Sequence, residues 1–505
     1  MANVYSRIRG RHQLATFSAH ILPIFLVCAV GIYASGCASS GPVKEWVGYN
    51  PSTTLTSPNV ERGGQFGDAV AGVPDIDGDG VRDLLVGAPG EENVDIDIEG
   101  ARRSTLPAGR VYAFSGEDGS LLRTIESPPH GEKTWFGSEV TGLGDVNGDG
   151  AGDFVVGAKG RSAGDSSFVG RAYIMSGADG SLLHTLTSPT QGAVSSFGYT
   201  VAGIGDVTGD GVEDVGIGSG EAVNNTTGAG RVHLFDGKNG QLVRSIGSPN
   251  PEESGRFGTT LSSVGDVNGD RVPDLAVGAS GETADSLEGA GRVYLFSGAD
   301  GRRIRTLHSP DSEEDGRFGW ATASVGDVTG DGSADVVVGA PGEGGLAVVG
   351  ATGRAYLFGG SEGRLVHRVE SPHLSGKAGF GSSVAGTGDV DGDGANDFAV
   401  GTGGRDLMDR AGKAYLFSGV DISGADRRLL QKTSSPNVEE YGSIVPDDLD
   451  LDSSFGSAIA RIGDADGDGA ADVAVGASTE TVGGEEEAGR VYVFRRASGA
   501  GSSGS

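Results

Sequence analysis

Cysteine is nearly absent from this 505-residue chain: Cys28 and Cys37 lie near the N-terminus, and no other cysteine follows them. Disulfides therefore cannot hold the main body together, and neither thiol catalysis nor a cysteine-ligated zinc site is available there. The chain also lacks a basic block that could offset its net charge of −31. Since a phosphate backbone needs a positive footprint, this charge argues against nucleic-acid binding. An excess of carboxylates points instead to divalent cations.

The chain is rich in glycine, with 93 residues, many of them at fixed positions of a unit that occurs seven times. Each unit opens with Phe-Gly, places an Asp nine residues after the Phe, and continues through an acidic, Gly-rich loop into a short apolar run. A period of about 61 residues along nearly the whole chain indicates one closed repeat array rather than several domains. The units begin near Phe66, Phe136, Phe197, Phe257, Phe318, Phe380 and Phe455.

Each unit predicts four short strands, and no segment shows helical periodicity. The first strand follows Phe-Gly, the second follows the acidic loop, the third opens with Gly-Arg or Gly-Lys, and the fourth follows a tight turn and ends at Ser-Pro. Four antiparallel strands in each of seven units predict an all-β fold, a seven-bladed β-propeller of four-stranded blades, over residues 53–494, with 495–505 as a flexible tail.

The two ends of the array predict how the ring closes. The last unit lacks a fourth strand, whereas Thr53–Pro58, TTLTSP, resembles the fourth strands of the other units, such as LHTLTSP at 183–189. We therefore predict that this N-terminal strand completes the last blade. Such a closure removes two strand edges that an open ring would expose.

Residues 1–36 are predicted to be an export signal, with Arg7, Arg9 and Arg11 before the apolar segment Ile21–Tyr33. The segment ends in Ala-Ser-Gly-Cys at residues 34–37, which resembles a bacterial lipoprotein lipobox except that Leu usually occupies the place of the Ala. This resemblance implies lipidation of Cys37, with residues 37–52 as a tether to the cell envelope. A cleaved signal with secretion, or an uncleaved anchor, remains open.

The acidic loops predict metal sites. In the loop that starts at Asp389, oxygen-bearing side chains occupy positions 1, 3, 5 and 9 and Gly occupies position 6, as in the first half of an EF-hand loop. Oxygen ligands without His or Cys disfavour zinc and copper, and a flexible loop favours Ca²⁺ over Mg²⁺. We predict up to seven Ca²⁺ ions with a structural role. The ligands would be Asp75, Asp77, Asp79, Asp83, Asp145, Asn147, Asp149, Asp153, Asp206, Thr208, Asp210, Asp214, Asp266, Asn268, Asp270, Asp274, Asp327, Thr329, Asp331, Asp335, Asp389, Asp391, Asp393, Asp397, Asp464, Asp466, Asp468 and Asp472.

The seven loops are unequal. The first, sixth and seventh carry four Asp each, whereas the others carry three and an Asn or Thr. Because ligand charge raises Ca²⁺ affinity, we expect the first, sixth and seventh sites to be tightest. The fourth loop has Arg271 where the others have Gly, and a positive φ costs a non-Gly residue about 1 kcal/mol, so this site should be weakest.

These units resemble the FG-GAP repeats of the integrin α-subunit propeller over residues 53–494. They share Phe-Gly, then Asp-x-[Asp/Asn/Thr]-Gly-Asp-Gly-x-x-Asp, then Gly-Ala-Pro or a variant. The resemblance implies Ca²⁺ on the lower face of a propeller and ligand contacts on the upper face. All seven units carry an acidic loop, which resembles bacterial FG-GAP proteins rather than integrins. No segment resembles an integrin thigh or calf domain, so we do not expect integrin heterodimer function.

Two insertions are candidates for a ligand surface, because long loops on a rigid scaffold often carry binding sites. Glu91–Ala108 lies in the first blade and Asn437–Ser454 leads into the seventh, so both should lie on the face opposite the calcium loops, side by side. Solvated loops without a partner remain an alternative. The candidate contact residues are Asp95, Asp97, Glu99, Glu439, Tyr441, Asp447, Asp448, Asp450 and Asp452.

The sequence as a whole favours a calcium-binding propeller of the cell envelope that acts as a binding or adhesion scaffold. Its partner would be an unidentified protein or glycan, its only membrane contact the N-terminal lipid, and its state monomeric. The alternative is a calcium-dependent extracytoplasmic hydrolase or lyase acting on an envelope polymer or lipid. The chain contains neither G-x-S-x-G nor H-E-x-x-H, its eight histidines are scattered, and His233 replaces a third-strand Tyr, which favours a packing role.

Overall fold

The chain forms a β-propeller. In the residues that the computed structural model describes, 28 strands form seven four-stranded antiparallel sheets. None of these residues forms a helix that is long and apolar enough to cross a membrane. The predicted signal and most of the tether, including Cys37, lie outside the described residues. Those are 51–91, 108–128, 134–160, 170–190, 196–345, 351–371, 379–390, 394–403, 412–419, 429–434 and 453–495.

Six blades are built from consecutive strands, ordered from the centre outward. Blade 1 contains β2 (Val70–Val73), β3 (Asp83–Ala88), β4 (Arg110–Phe114) and β5 (Leu121–Glu126). Blade 2 contains β6 (Phe136–Gly142), β7 (Phe154–Ala158), β8 (Arg171–Met175) and β9 (Leu182–Thr187). Blade 3 contains β10 (Thr200–Gly203), β11 (Val215–Ser219), β12 (Arg231–Phe235) and β13 (Leu242–Gly247).

The next three blades repeat this order. Blade 4 contains β14 (Phe257–Ser263), β15 (Leu275–Ala279), β16 (Arg292–Phe296) and β17 (Arg303–Leu307). Blade 5 contains β18 (Ala321–Gly326), β19 (Asp335–Ala340), β20 (Arg354–Phe358) and β21 (Leu365–Glu370). Blade 6 contains β22 (Ser383–Gly388), β23 (Asp397–Gly401), β24 (Lys413–Phe417) and β25 (Leu429–Ser434).

Blade 7 joins the two ends of the array. Its inner strands are β26 (Ile459–Gly463), β27 (Asp472–Ala477) and β28 (Arg490–Phe494), and its outer strand is the N-terminal β1 (Pro51–Thr56). β1 pairs antiparallel with β28, with Leu55 opposite Val491. The innermost strands of the seven blades contact one another in a closed cycle, and β2 contacts β26. The predicted closure by an N-terminal strand is therefore confirmed.

The Phe-Gly pair packs each blade against its neighbour. Phe66 is fully buried, with its ring centroid 5.8 Å from that of Tyr112 and 5.9 Å from that of Phe114. Gly67 has a φ of +88°, and a Cβ on it would lie 2.6 Å from the Arg490 carbonyl oxygen of blade 7. Only glycine tolerates both the left-handed backbone and this close approach. The motif thus supplies a core aromatic and a contact point between sheets.

The hydrophobic core lies between blades. Strands β3 and β7 are buried along their whole length, because both faces of each sheet are covered by neighbouring sheets. One cluster combines Leu85 and Val111 of blade 1 with Phe136 and Val156 of blade 2. A single blade would therefore expose both of its apolar faces, so we expect stability to come from the ring.

Outer strands add polar links between blades. Arg123 Nε on β5 donates to the Gly177 carbonyl oxygen in the β8–β9 hairpin of blade 2 (3.0 Å). Arg244 makes the equivalent bond to Gly298 of blade 4 (3.2 Å). At the closure, Arg495 donates to the Gly116 carbonyl oxygen of blade 1. The link from blade 7 to blade 1 thus uses a residue just after β28 instead of one on the outer strand.

Candidate metal centre and ligand face

The acidic loops connect the first and second strands of each blade, and their first Asp organises them. Asp75 Oδ1 accepts the N–H of Gly78 (2.6 Å) and Oδ2 accepts that of Gly80 (2.8 Å). Asp206 makes the same pair of bonds in blade 3, to Gly209 and Gly211. Because the first Asp accepts these backbone N–H groups, it holds the loop in a compact turn. The other side-chain oxygens of the loop then lie near one another.

The last Asp of each loop is buried and links two loops. Asp83 Oδ2 accepts the N–H of Ile76 (2.7 Å), and Oδ1 accepts that of Gly116 in the β4–β5 hairpin (3.0 Å). The same two links occur in blades 2 to 6, where the last Asp accepts one N–H from its own acidic loop and one from the hairpin between the third and fourth strands. The acidic loops and the hairpins between third and fourth strands therefore share one face of the ring. We call it the lower face, and the opposite side the upper face.

Burial sets the protonation of these last carboxyls. In the absence of an ion, burial is the largest cause that raises the pKa of Asp83 to about 6, although the N–H groups of Ile76 and Gly116 oppose it. The pKa of Asp274 is likewise raised to about 6 and that of Asp472 to about 7. Neighbouring loop carboxylates contribute to each rise. A bound cation would remove this repulsion.

Within the part of the chain that the structure describes, two loops bring three carboxylates close enough for one ion. In blade 1 the group is Asp75, Asp77 and Asp83, and in blade 7 it is Asp464, Asp466 and Asp468. In each group one oxygen from every residue lies within 4.8 Å of the others. Acidic clusters that could bind a metal ion are therefore present, and their all-oxygen donor sets fit a hard cation. Asp391 and Asp393 lie outside the described residues.

In the loops with fewer carboxylates, the replacement side chain bonds to an Asp of its own loop. Asn147 Nδ2 donates to Asp149 Oδ2 (2.7 Å), and Asn268 Nδ2 donates to Asp274 Oδ1 (3.1 Å). Thr329 Oγ1 donates to Asp335 Oδ1 (3.3 Å). These bonds occupy oxygens that a cation would otherwise contact. The tighter Ca²⁺ binding expected of the fully charged loops stays a prediction.

Arg271 in the fourth loop adopts the strained backbone expected from the sequence. Its φ is +71°. In the acidic loop of blade 5, Gly332 occupies the same position and has a φ of +87°.

We expect Arg271→Gly to raise the unfolding free energy by about 1 kcal/mol and the reverse change Gly332→Arg to lower it by about as much. Denaturant unfolding of both variants measures this, and a destabilised Arg271→Gly would contradict the backbone argument.

A second carboxylate set was not predicted from the sequence. Glu91, which follows β3, is fully buried, and its Oε2 accepts bonds from Tyr112 Oη (2.5 Å) and Arg110 Nη1 (3.2 Å). Burial raises its pKa, against the effect of these bonds. The sequence feature that could have identified this buried set is the Glu that recurs after the second strand, as in GAPGE. Equivalent residues are Glu221, Glu282, Glu343 and Glu480.

His233 belongs to this buried set. It is fully buried, its Nε2 lies 3.4 Å from Glu221 Oε2, and its Nδ1 lies 2.8 Å from Ser245 Oγ. The packing role inferred from its place in the third strand is confirmed. Because these glutamates tie the second and third strands together inside blades 1, 3, 4, 5 and 7, they support the fold rather than a site for a ligand.

The upper face carries aromatic side chains around the central channel. Lys159 Nζ lies 5.1 Å from the ring centroid of Trp135 and 5.8 Å from that of Tyr199, which is 44% exposed. In blade 5, Arg317 Cζ lies 5.5 Å from the centroid of the Trp320 side-chain ring. A cleft of about 410 Å³ lies between Tyr199 and Trp320 and also contacts Arg256. The exposed Tyr199 ring and the half-buried Trp135 and Trp320 rings, beside cations and hydroxyls, form a surface suited to binding.

Two carboxyls lie in the upper part of the channel beside Lys159. Burial is the largest cause that raises the pKa of Glu139 to about 8; Lys159 opposes this rise and Asp68 adds to it. Burial likewise raises the pKa of Asp68. The channel, a cavity of about 370 Å³, is lined by inner strands of all seven blades.

Glu139 should make stability depend on pH. Because its folded pKa of about 8 lies above an ordinary glutamate value of about 4.3, the folded state holds the proton longer, and stability falls as pH rises between these values. We expect Glu139→Gln to melt higher than the wild type at pH 8, and the difference to shrink at pH 5. Melting curves in Ca²⁺, with Glu126→Gln as an exposed control, test this; a pH-independent difference would contradict it.

The predicted ligand residues lie outside the described residues. These are Asp95, Asp97, Glu99, Glu439, Tyr441, Asp447, Asp448, Asp450 and Asp452. Of the two insertions, the structure describes only their ends, such as the buried Glu91 and Ser453. Glu91 supports the blade and is not part of a ligand surface.

Family comparison agrees with this architecture. The family described as FG-GAP repeat matches residues 66–114, 257–296, 318–358 and 455–494, which are blades 1, 4, 5 and 7. The chain carries FG-GAP repeats. Blades 2, 3 and 6 have the same four strands and the same Phe-Gly pair, so the FG-GAP architecture extends around the ring.

The FG-GAP chain is similar to integrin α-subunits. It is 34% identical to integrin alpha-2 of Bos taurus over 222 residues, 42% of this chain and 18% of that protein. It is 33% identical to integrin alpha-5 of Xenopus laevis over 49% of this chain and 23% of that protein. Integrin alpha-4 of Xenopus laevis is 30% identical over 36% of this chain and 18% of that protein. The alignments thus span about a fifth of each relative.

Proposed function

We propose that this FG-GAP propeller is a Ca²⁺-binding scaffold of the cell envelope that binds its partner on the upper face. The observation that carries the proposal is the separation of the two faces. The acidic clusters of blades 1 and 7 lie on the lower face, whereas the aromatic cleft of Tyr199 and Trp320 lies on the upper face. Ca²⁺ is the expected cation because the donors are all oxygens on flexible loops.

The path of β1 supports an outward-facing upper surface. Pro51 pairs with Phe494, the last residue of β28, so the chain enters the propeller at the lower face. If Cys37 carries a lipid, the tether joins the ring on the same side as the metal loops. The upper face would then remain free to bind a protein or glycan of the envelope.

The aromatic cleft supports binding rather than packing. Tyr199 and Trp320 stand two residues after the Phe of blades 3 and 5, at a position held by Ser or Asp in blades 1, 2, 6 and 7. Large rings therefore appear at this position only beside blade 4. Stacking on the exposed Tyr199 ring and the half-buried Trp320 ring, with Arg256 and nearby hydroxyls as hydrogen-bond donors, suits a sugar ring or a peptide side chain.

A pull-down from envelope extract tests the proposal. We expect the wild type to retain a partner, and the double variant Tyr199→Ala/Trp320→Ala to lose it while keeping its melting curve. Leu121→Ala, which removes a 44% exposed side chain from an outer strand, is the matched control. Deletion of residues 92–107 or 437–452 tests the insertions, with the buried Glu91 and Ser453 left in place.

Three results would contradict the proposal. Retention of the partner by both the cleft variant and the two deletions would place the binding surface elsewhere. Loss of the partner in Leu121→Ala would indicate a general effect on the ring. Ca²⁺-dependent turnover of an envelope polymer or lipid, abolished by Glu139→Gln without loss of stability, would favour the hydrolase or lyase.

A further inference from the structure

The cleft on the upper face above blade 4 differs in charge from the chain as a whole. Its volume is about 410 Å³, and Tyr199 of blade 3, Phe257 of blade 4 and Trp320 of blade 5 line it. The other lining residues are Arg256, glycines and hydroxyl side chains, and none of the described residues that line it carries a carboxylate. Small-molecule sites usually measure about 300–1,000 Å³. The cleft therefore offers room for a small ligand and a positive charge, in a chain whose net charge is −31.

The repeat explains how arginines and large rings reach the same edge of the ring of blades. Tyr199 and Trp320 follow the Phe of their blades by two residues, whereas Arg256 and Arg317 directly precede the Phe of blades 4 and 5. The backbone before the Phe is left-handed in every blade, with a φ of +56° at Arg256. Only blades 4 and 5 have a cation there. The residues in the other blades are Gln65, Trp135, Ser196, Gly379 and Ser454.

The two arginines make different contacts. Arg317 Cζ lies 5.5 Å from the Trp320 ring centroid and stabilises that ring through a cation–π contact. Arg256 lines the cleft and is exposed to solvent. In the part of the chain that the structure describes, its guanidinium forms no ion pair and no hydrogen bond. Of the two, Arg256 is therefore the one whose charge can serve a ligand in the cleft.

The glutamates close to Arg256 are engaged by other groups. Glu282 and Glu252 both lie against the glycine that precedes Arg256. Glu282 Oε2 accepts the Tyr294 hydroxyl (2.5 Å), and Glu252 Oε2 accepts the Thr283 N–H (2.8 Å). Neither forms an ion pair with Arg256, so its charge is not compensated within the protein.

Two hydroxyl groups of the cleft also have no partner. Thr259 donates to a backbone carbonyl oxygen, and Ser219 Oγ lies 3.3 Å from His233 Nε2. In contrast, the hydroxyls of Ser196 and Ser254 make no hydrogen bond to any described residue. A hydroxyl can both donate and accept, which is what the hydroxyls of a sugar require. The cleft thus combines aromatic rings, unused hydroxyls and one uncompensated cation, a set that favours a sugar with a negative charge.

We propose that this cleft binds a uronic acid unit of an acidic polysaccharide. The sugar ring packs against Tyr199 and Trp320, since aromatic rings contact the apolar C–H face of a sugar. Its carboxylate pairs with Arg256, whose planar guanidinium matches two carboxylate oxygens at once. This inference rests on the upper-face binding proposed above and names the chemical class of the ligand.

The net charge of −31 opposes the approach of an acidic polymer, but its distribution limits this effect. The acidic loops lie on the lower face, whereas the cleft lies on the upper face. At physiological ionic strength, exposed charges farther apart than about 8 Å are largely screened. The charge next to the ligand, that of Arg256, should therefore dominate over the charge of the whole chain.

Calorimetric titration of the Ca²⁺-loaded full chain, with excess Ca²⁺ removed, tests the proposal. The probes are tetragalacturonic acid and a hyaluronan tetrasaccharide, and their methyl esters are the neutral controls. We expect the wild type to bind at least one acid about tenfold or more tightly than its ester, since a hydrogen bond to a charged group contributes about 1.5–3 kcal/mol.

Variants of Arg256 test whether this residue recognises the carboxylate. Arg256→Gln should weaken binding of the acid by about tenfold or more and leave binding of the ester unchanged. Arg256→Lys, which keeps the charge but loses the planar fork, should recover part of the loss. Arg302→Gln removes an exposed arginine from a lower-face hairpin, and this matched control should bind every probe as the wild type does.

The inference is wrong if the wild type binds neither acid, if it binds each ester as tightly as the acid, or if Arg256→Gln binds the acids as Arg302→Gln does. The pull-down with Tyr199→Ala/Trp320→Ala separates this failure from that of the proposed function. Loss of the envelope partner in that variant, with no binding of either acid by the wild type, supports the upper-face scaffold and rejects only the acidic sugar. Binding of a neutral ester alone would indicate a neutral glycan.

Discussion

Removal of Ca²⁺ with EDTA is expected to lower the melting temperature of the protein by many degrees, and added Ca²⁺ is expected to restore it. Without the ion, each acidic loop holds three or four carboxyls that repel one another. In blades 1 and 7, three of them have oxygens within 4.8 Å. A site filled at 100 times its dissociation constant adds about 2.7 kcal/mol to the unfolding free energy, and several sites act together.

Single-loop variants separate this effect from general chelation. Asp466→Asn removes a carboxylate from a three-carboxylate group, and we expect it to reduce the stabilisation by Ca²⁺. Asp300→Asn, on a hairpin of the same face, is the control that should leave the Ca²⁺ response intact. An EDTA melting curve that equals the Ca²⁺ curve would overturn the metal assignment. Equal stabilisation by Mg²⁺ would overturn the preference for Ca²⁺.

Deletion of residues 51–58 is expected to open the ring and abolish cooperative unfolding. β1 is the outer strand of blade 7, and its loss would leave β28 as an exposed edge and uncover the cluster that contains Leu55 and Val491. It would also remove Ser57, which donates to the buried Glu91 of blade 1. The deletion thus removes a strand and a contact between blades.

Point variants on β1 should separate its buried and exposed faces. Leu55 is 5% exposed, and Leu55→Ala should cost about 2–5 kcal/mol of unfolding free energy. Thr54→Ala, at an exposed neighbouring position, should change it by less than about 0.5 kcal/mol. A peptide of residues 50–60 added to the deleted chain should restore part of the stability. If the deletion mutant melts like the wild type, the closure does not hold the ring.

The sequence predicted the fold well because a repeat states each local rule seven times. Phe66 and Gly67 recur in every blade, one as a core aromatic and the other at a positive φ where a Cβ would clash with the neighbouring blade. Even the strained backbone of Arg271 could be predicted, since the other loops have Gly there. Likewise, the missing fourth strand of the last unit identified β1.

Other features could not be predicted because they depend on which departures from the repeat become neighbours. Glu91 was counted as the start of an insertion, yet it is buried against Tyr112 and Arg110. The aromatic cleft of Tyr199 and Trp320 joins residues from blades 3 and 5. Their spacing along the chain carries no sign of this proximity.

By itself, the sequence determined the strands, the seven blades, the closing strand and the acidic loops, because each follows from local spacing and turn chemistry repeated along the chain. Only the tertiary structure decided which side chains meet. Closing the ring brought Arg495 of blade 7 to the Gly116 carbonyl oxygen of blade 1, and packing of neighbouring blades placed Asp68 of blade 1 beside Lys159 of blade 2 in the channel. It also put the entry of β1 on the face of the acidic loops. A closed ring brings its first and last blades together, and no local pattern encodes the contacts that result.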